Sequence, residues 1–276
     1  MLIQITNTCR MGCKHCLNDS KQYDSHMTSM TWNKVLNHAK SSGVNVMLIS
    51  GGEPTEHPYW NEIIDEACDN FTDVVIPTNG MWINTDKEDL MLMILKKHPN
   101  CQVQITSVRG YYPLYDKIVT SVRKLKQRLK VHPDRDMRRV EFNQISPCID
   151  VQLHMVSLGR AAKDSECLHL ASTDEATTTS CFMGSLTAAQ IDYKQVIQTM
   201  EGRGHFCKPR ITYKGEIGWS ESSLCPSFAT VYNTPDEIQK KASEWRPCGK
   251  CRDYQKLLNN KQPKYLSAKA ILGIQE

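Results

Sequence analysis

The residues best suited to chemistry in this sequence are three cysteines near its start. Cys9, Cys13 and Cys16 follow the spacing C-x3-C-x2-C. Thiolates are the soft ligands that iron–sulfur clusters use, and three of them can hold three irons of a [4Fe–4S] cubane while one iron stays open. Gly12 gives the loop freedom to turn tightly. The spacing also leaves open a zinc site with His15 as the fourth ligand.

A glycine-containing turn is the second candidate element. Gly51-Gly52-Glu53-Pro54 follows the apolar run 46–50, which predicts a buried strand. Two glycines let the backbone approach a ligand closely, and their carbonyls can accept hydrogen bonds from an ammonium group. Alone, this tetrapeptide indicates only a turn. Combined with the three thiols, it indicates a ligand site at one edge of a sheet.

Four late cysteines form a second candidate metal site. They are Cys207, Cys225, Cys248 and Cys251, and the last two make a C-x2-C knuckle. Four thiolates can close fully around one metal centre. From the residues alone, structural zinc and a second [4Fe–4S] cluster are comparable interpretations.

The elements that must position these residues alternate along the first half of the chain. Short apolar runs predict strands at 3–6, 46–50, 73–78 and 102–107. Amphipathic stretches predict helices at 31–40, 60–68, 88–97 and 114–129. This alternation predicts parallel βαβ units in an α/β fold, with functional loops at the carboxyl ends of the strands.

The pattern changes after the fourth helix. Both 139–145 and 151–157 resemble strands, but the connection between them is too short for a parallel crossover, so either they pair as a hairpin or one is not a strand. Residues 163–185 are polar and predict a long loop. Residues 211–219 predict a hairpin with its turn at Gly215.

Composition excludes several classes of protein. The chain has 276 residues, 40% of them hydrophobic, and a net charge of +4, which is too weak to indicate a nucleic-acid or membrane partner. No run approaches a membrane span, and the start lacks the features of a signal peptide, so a cytoplasmic location is expected. Disulfides are disfavoured in the cytoplasm. The chain has twelve cysteines, and those that are clustered therefore indicate metal binding or catalysis.

The thiol motif and the glycine turn, one βα unit apart, resemble the radical S-adenosylmethionine (radical SAM) superfamily over about residues 1–160. The resemblance implies a partial (β/α)6-type TIM barrel, a [4Fe–4S] cluster, and S-adenosylmethionine chelating the open iron. By this resemblance the cluster ligands are Cys9, Cys13 and Cys16. The residues that would hold the methionyl amine are Gly51, Gly52, Glu53 and Pro54.

Two further positions enter through the same resemblance. Ser107-Val108-Arg109-Gly110 stands where related enzymes have Ser-x-Asp-Gly, which implies that Ser107 lies near the ribose. Arg109 replaces the acidic residue, so the ribose contacts differ from the usual pattern. His15 stands where an aromatic residue is usual and can stack near the adenine.

The late cysteines resemble a Twitch module, the shortened relative of the SPASM extension. Gly159-Arg160-Ala161 would precede it, and residues 161–276 would form a small β-hairpin and helix module. The resemblance implies one auxiliary [4Fe–4S] cluster on Cys207, Cys225, Cys248 and Cys251. Six residues separate Gly218 from Cys225, where four are usual, so this half of the motif fits loosely and zinc remains the alternative.

The implied activity is that of a radical SAM oxidoreductase or maturase. Reductive cleavage of S-adenosylmethionine would give a 5′-deoxyadenosyl radical, which takes a hydrogen atom from a small molecule or peptide. An external one-electron reductant of flavodoxin or ferredoxin type would be the partner. The alternatives are a nucleotide or nucleic-acid modifier of the same superfamily, and an iron–sulfur electron-transfer protein without catalysis. The sequence identifies no catalytic base.

Overall fold

The computed structural model describes a mixed α/β fold built on one sheet in which parallel strands dominate. It covers residues 1–16, 18–131, 144–149, 160, 163, 209–219 and 226–245. The strands are β1 (Leu2–Gln4), β2 (Val46–Ser50), β3 (Asp73–Thr78), β4 (Cys101–Ser107), β5 (Ile145–Ile149), β6 (Arg210–Ile211), β7 (Glu216–Gly218) and β8 (Ala229–Thr230). The helices are α1 (Ser29–Ser41), α2 (Trp60–Asn70), α3 (Lys87–Lys97), α4 (Tyr115–Val131) and α5 (Pro235–Glu244), with a 3₁₀ turn at Pro54–Glu56.

The strands of the described residues follow the order β5-β4-β3-β2-β1-β6-β7-β8. Every pair from β5 to β6 is parallel, and β7 and β8 add antiparallel pairs at one end. Leu2 of β1 pairs with Leu48 on one side and with Arg210 on the other. The described residues of the late segment therefore extend the sheet of the first strands. The barrel closure and the boundary between residues 160 and 161 stay predictions.

The helices pack on the sheet through the apolar residues that the periodicity singles out. In α1, the buried residues Trp32, Val35, Leu36 and Ala39 follow helical spacing. Thr28 caps this helix, since its side chain accepts from the Thr31 N–H at 3.2 Å. The strand order advances in one direction from β1 to β5, and right-handed crossovers place α1–α4 on the same face. The buried apolar residues of the strands and helices form one continuous core.

The predicted strands 46–50 and 73–78 are found as predicted, and the predicted helices of the first half lie within a few residues of α1–α4. One connection was predicted wrongly. The segment after residue 145 was expected to be a short link, yet β5 occupies Ile145–Ile149 and runs parallel to β4. Pro147 obscured this strand in the sequence, because proline interrupts a ladder.

The predicted hairpin with its turn at Gly215 is confirmed. β6 and β7 pair in antiparallel fashion, and Gly215 has a φ of +79°. A side chain at Gly215 would also lie 2.7 Å from Val231, so this position requires glycine for two reasons. Among the described helices, none is long and apolar enough to cross a membrane.

Candidate active site

The thiol loop (residues 9–16) and the glycine turn meet at the carboxyl ends of β1 and β2. The Gly52 N–H donates to the Thr6 carbonyl at 2.8 Å, and the Glu53 N–H donates to the Thr8 carbonyl at 2.9 Å. A Cβ atom at Gly51 would lie 2.5 Å from the Thr6 oxygen, and one at Gly52 would lie 2.3 Å from the Thr8 oxygen. Both positions therefore need glycine because the segment leading into the thiol loop passes against them.

The three thiols of this loop are free and partly buried. Burial raises the pKa of Cys9 to about 11. Burial raises the pKa of Cys13 to about 12, and the neighbouring Cys9 and Cys16 thiols add to this shift. Removing several thiolates from water is unfavourable unless positive charge compensates them. The loop therefore concentrates sulfur ligands in a place where bound metal would stabilise their ionised form.

Hydrogen-bond donors already point at two of the sulfurs. The Asn79 side-chain amide donates to Cys9 Sγ at 3.6 Å, and the Ser20 N–H donates to Cys16 Sγ at 3.4 Å. Such bonds stabilise a thiolate and tune the reduction potential of a cluster that it ligates. Among the described residues, no three His, Cys, Asp or Glu side chains are placed to hold a single metal ion. In a cubane, the three protein sulfurs bind three different irons. The absence of a site for a single metal ion among the described residues is therefore compatible with a cluster.

We use the word rim for the carboxyl ends of β1–β4 together with the thiol loop and the glycine turn. Glu53 is buried at the centre of this rim. Its Oε1 accepts from the hydroxyls of Thr55 at 2.8 Å and Thr78 at 2.7 Å, and its Oε2 accepts from the Asn79 N–H at 2.8 Å. Burial raises the pKa of this carboxyl, while these hydrogen bonds oppose the shift. Glu53 thus ties the end of β2 to the end of β3. It also holds the residue whose side chain contacts Cys9.

His57 follows the glycine turn in the chain, and two hydrogen bonds hold its ring in the neutral form. Its Nδ1 accepts from the Tyr59 N–H at 3.0 Å, which leaves Nε2 to donate to the Met27 carbonyl at 2.8 Å. Burial lowers the pKa of His57, and the nearby His26 lowers it further. The folded protein therefore binds fewer protons at this ring than the unfolded chain below about pH 6.5.

A pH-dependent loss of stability follows for the metal-free protein. Because the pKa of His57 is lowered on folding, its contribution is present above about pH 6.5 and is lost as the pH falls. We expect His57→Gln to flatten the decline in unfolding free energy between pH 6.5 and 5 by up to about 1.4 kcal/mol per pH unit. Urea unfolding across this range measures the slope. An identical slope in both proteins would contradict the assignment to His57. Burial also lowers the pKa values of His15 and His38, and these two groups would then account for the whole slope.

Two buried polar atoms near the rim have no hydrogen-bond partner among the described residues. They are Ser107 Oγ, at the carboxyl end of β4, and His15 Nδ1, within the thiol loop. The His15 ring lies with its centroid 5.7 Å from that of Tyr111 and 5.0 Å from that of Tyr112. Orphaned buried polar atoms are rare in folded proteins and indicate a ligand or water. Both are positions that the family resemblance assigns to a nucleoside.

Tyr112 is a rim residue that the sequence reasoning missed. Burial raises the pKa of its hydroxyl, and the charges of Cys13 and Glu53 raise the pKa further. Its position depends on the turn after β4, where its N–H donates to the Val108 carbonyl at 3.1 Å. The paired tyrosines directly after Gly110 were the available sequence signal. Arg109 instead lies with its guanidinium 4.8 Å from the centre of the Tyr115 ring.

The four late cysteines, Cys207, Cys225, Cys248 and Cys251, lie outside the described residues. Their metal site therefore stays a prediction. Cys68 in α2 and Cys101 at the start of β4 are buried and free. They belong to the apolar core, where free cysteine commonly serves as a small buried hydrophobic residue.

Comparison with known proteins identifies the first half of the chain. Residues 3–132, which contain the thiol loop and the glycine turn, match the family model described as "Radical SAM superfamily". These residues are therefore similar to radical SAM domains. The superfamily implies a [4Fe–4S] cluster and S-adenosylmethionine as cofactors, and the free thiols and orphaned polar atoms of the rim fit both.

Curated relatives of the radical SAM domain include two from Bacillus subtilis (strain 168). "Antilisterial bacteriocin subtilosin biosynthesis protein AlbA" is 30% identical over 89 residues, or 32% of this chain and 20% of the relative. "Sporulation killing factor maturation protein SkfB" is 29% identical over 118 residues, or 42% of this chain and 27% of the relative. The chain thus matches only about a quarter of these relatives' lengths.

One solved structure has a similar fold. "Native anSMEcpe with bound AdoMet and Cp18Cys peptide" superimposes with a TM-score of 0.53 at 12% identity, over 96% of this chain and 86% of that one. At this identity the similarity concerns the fold alone. It agrees with the parallel-dominated α/β sheet of the described residues.

Proposed function

We propose that this protein is an enzyme that cleaves S-adenosylmethionine reductively and uses the resulting radical to modify a peptide. The observation that carries the proposal is the contact between the free thiol loop and the glycine turn at one rim, fixed by the Gly52–Thr6 and Glu53–Thr8 hydrogen bonds. A protein that only stores electrons needs the thiols. It does not need a turn whose glycines bring a second binding element against them.

Different residues of the rim would bind the cluster and the parts of S-adenosylmethionine. Cys9, Cys13 and Cys16 would hold the cluster, as the resemblance implies. When bound, the cluster and S-adenosylmethionine supply one-electron cleavage of a carbon–sulfur bond and a 5′-deoxyadenosyl radical. Ser107 and His15 offer unpartnered polar atoms at positions suited to ribose and adenine.

The glycine turn would hold the methionyl amine through Gly51, Gly52, Glu53 and Pro54. The Gly51 carbonyl already accepts from the Asn18 amide at 2.9 Å, which leaves one of its lone pairs for a ligand. Glu53 is fully engaged with Thr55, Thr78 and Asn79. Its contribution is therefore to hold the rim in shape and to supply a buried negative charge that favours a nearby ammonium group.

A peptide is the substrate class that the relatives favour. AlbA is named for the biosynthesis of a bacteriocin, SkfB is named for maturation of a killing factor, and the solved anSMEcpe structure holds a peptide. A small molecule is the alternative from the sequence. An external flavodoxin or ferredoxin is the proposed electron donor, and oxidation of the substrate radical is the proposed outcome.

The second part of the proposal is an auxiliary [4Fe–4S] cluster on Cys207, Cys225, Cys248 and Cys251, in a Twitch-like module over residues 161–276. The hairpin of β6 and β7, which lies between the first two of these cysteines in sequence, supports the motif order. Iron counting on a variant that lacks the three early cysteines tests it. About four irons per chain would support the cluster, and zinc in their place would remove it.

Release of 5′-deoxyadenosine tests the proposed function. After anaerobic loading with iron and sulfide, the protein is reduced with dithionite in the presence of S-adenosylmethionine. We expect stoichiometric or greater release of 5′-deoxyadenosine with methionine, and none when the reductant is omitted. A fully loaded, reduced protein that releases neither product would favour the electron-transfer alternative.

A further inference from the structure

Arg160 reaches the thiol loop from a distant part of the chain. Its backbone N–H donates to the Cys16 carbonyl at 2.9 Å, and its Nη1 donates to the Cys13 carbonyl at 2.8 Å. Its Nη2 donates to the Ser20 carbonyl. One residue therefore engages the backbone on both sides of Cys16.

Asp19, in the turn after Cys16, faces the Arg160 side chain. The Arg160 Nε lies 3.5 Å from Asp19 Oδ1, and Lys163 Nζ lies 2.6 Å from Asp19 Oδ2. Asp19 itself has a φ of +50°, a backbone conformation that a non-glycine residue adopts only where its surroundings hold it. Arg160 thus shapes the turn after Cys16 directly, whereas the mostly exposed Lys163 side chain pairs with the other oxygen of Asp19.

The Arg160 side chain also acts on the sulfurs. Its positive charge lies close to the thiol loop, since Nη1 bonds to the carbonyl of Cys13 itself. Through the Ser20 carbonyl it fixes the residue whose N–H donates to Cys16 Sγ at 3.4 Å. Positive charge and N–H donors near thiolate ligands favour the reduced, more negative state of an iron–sulfur cluster.

We propose that Arg160 is a positioning residue that holds the thiol loop in its metal-binding shape and raises the reduction potential of the cluster. This inference rests on the proposed function, because it requires that the loop carry a cluster. The guanidinium suits the role, since its planar fork can serve two carbonyls at once while it stays charged. A lysine would keep the charge and lose the fork.

The test compares Arg160→Gln and Arg160→Lys with Lys163→Gln, which removes a nearby positive charge that is mostly exposed and pairs with Asp19. Each variant is loaded anaerobically without S-adenosylmethionine. Iron loss to a chelator is followed by absorbance, and the potential of the cluster is read by titration of its EPR signal. The signal that is missing in Cys13→Ala identifies the cluster of the thiol loop.

We expect Arg160→Gln to lose iron at least about tenfold faster than the parent, as loss of charge-assisted hydrogen bonds predicts, and to show a lower reduction potential. Arg160→Lys should restore most of the reduction potential and only part of the iron retention. Lys163→Gln should resemble the parent in both measurements. The inference fails if Arg160→Gln matches Lys163→Gln in both measurements. A parent protein that takes up no iron at Cys9, Cys13 and Cys16 would overturn the proposed function itself.

Discussion

Replacing Cys13 with alanine is expected to reduce release of 5′-deoxyadenosine to the level of a protein-free control. Cys13 lies at the centre of the motif, and its thiol is close enough to Cys9 and Cys16 for both to raise its pKa. With two sulfurs left, the loop cannot hold three irons of a cubane, so no open iron would be presented to S-adenosylmethionine. The loss should be complete because it removes a ligand and leaves no substitute for it.

The matched control for this variant is Cys68→Ala. Cys68 is a buried thiol in α2, and it belongs to the core and lies outside the thiol loop. Its loss should cost about 1 kcal/mol of stability and leave the release of 5′-deoxyadenosine unchanged. If Cys13→Ala kept more than half of the parent's activity while Cys68→Ala lost it, the cluster would lie elsewhere in the chain.

Replacing Gly52 with alanine should disrupt the rim as a whole. The added methyl group would lie 2.3 Å from the Thr8 oxygen and 2.7 Å from the Thr8 carbonyl carbon, and these are backbone atoms that cannot rotate away. The segment leading into the thiol loop must shift, and the Glu53–Thr8 hydrogen bond shifts with it. We expect a loss of about 3 kcal/mol in unfolding free energy and loss of stable iron binding.

Gly43→Ala is the comparison that separates this clash from an ordinary glycine effect. Gly43 has a φ of +64°, and a methyl group there would meet nothing within 4 Å. It should therefore cost only about 1 kcal/mol, through backbone strain, and leave iron binding intact. Urea unfolding of both metal-free variants, followed by iron loading, measures the difference. Equal losses of stability with intact iron binding would show that the glycine turn does not support the thiol loop.

Much of the first half of this fold could be predicted because its strands are short apolar runs and its helices repeat their apolar residues at helical spacing. The strand Val46–Ser50 and the helix around Trp32 and Val35 are examples. The prediction was wrong at β5, where the sequence pattern was interpreted as a link between two strands. Pro147 lies within β5 and cannot donate to a ladder, so it weakens the strand signal of this segment.

One helix was missed although its signal was present. Thr234 and Glu237 form a reciprocal capping box at the start of α5, and Pro235 occupies the first turn. The helix has no buried residue, so the apolar periodicity that located the other helices was weak here. Capping residues would have found it when periodicity did not.

The candidate site was predictable in its motifs and not in its supporting contacts. The spacing of the thiols and the two glycines is local in sequence, and the parallel strands bring them to one edge. The contacts from Asn79 to Cys9, from Glu53 to Thr78 and from Arg160 to Cys13 join residues that lie far apart in the chain. No local pattern encodes such pairs, because they depend on the register of the sheet and on where each loop ends.

The central claim is that a cluster held by Cys9, Cys13 and Cys16 presents one iron to S-adenosylmethionine. EPR spectroscopy of the reduced, reconstituted protein tests it most directly, with S-adenosylmethionine labelled with ¹⁵N or ¹⁷O at its amino acid group. We predict that the cofactor alters the spectrum of the thiol-loop cluster and that the label gives a resolved hyperfine coupling. An unchanged spectrum with no coupling, in a protein that contains the full complement of iron, would contradict the account.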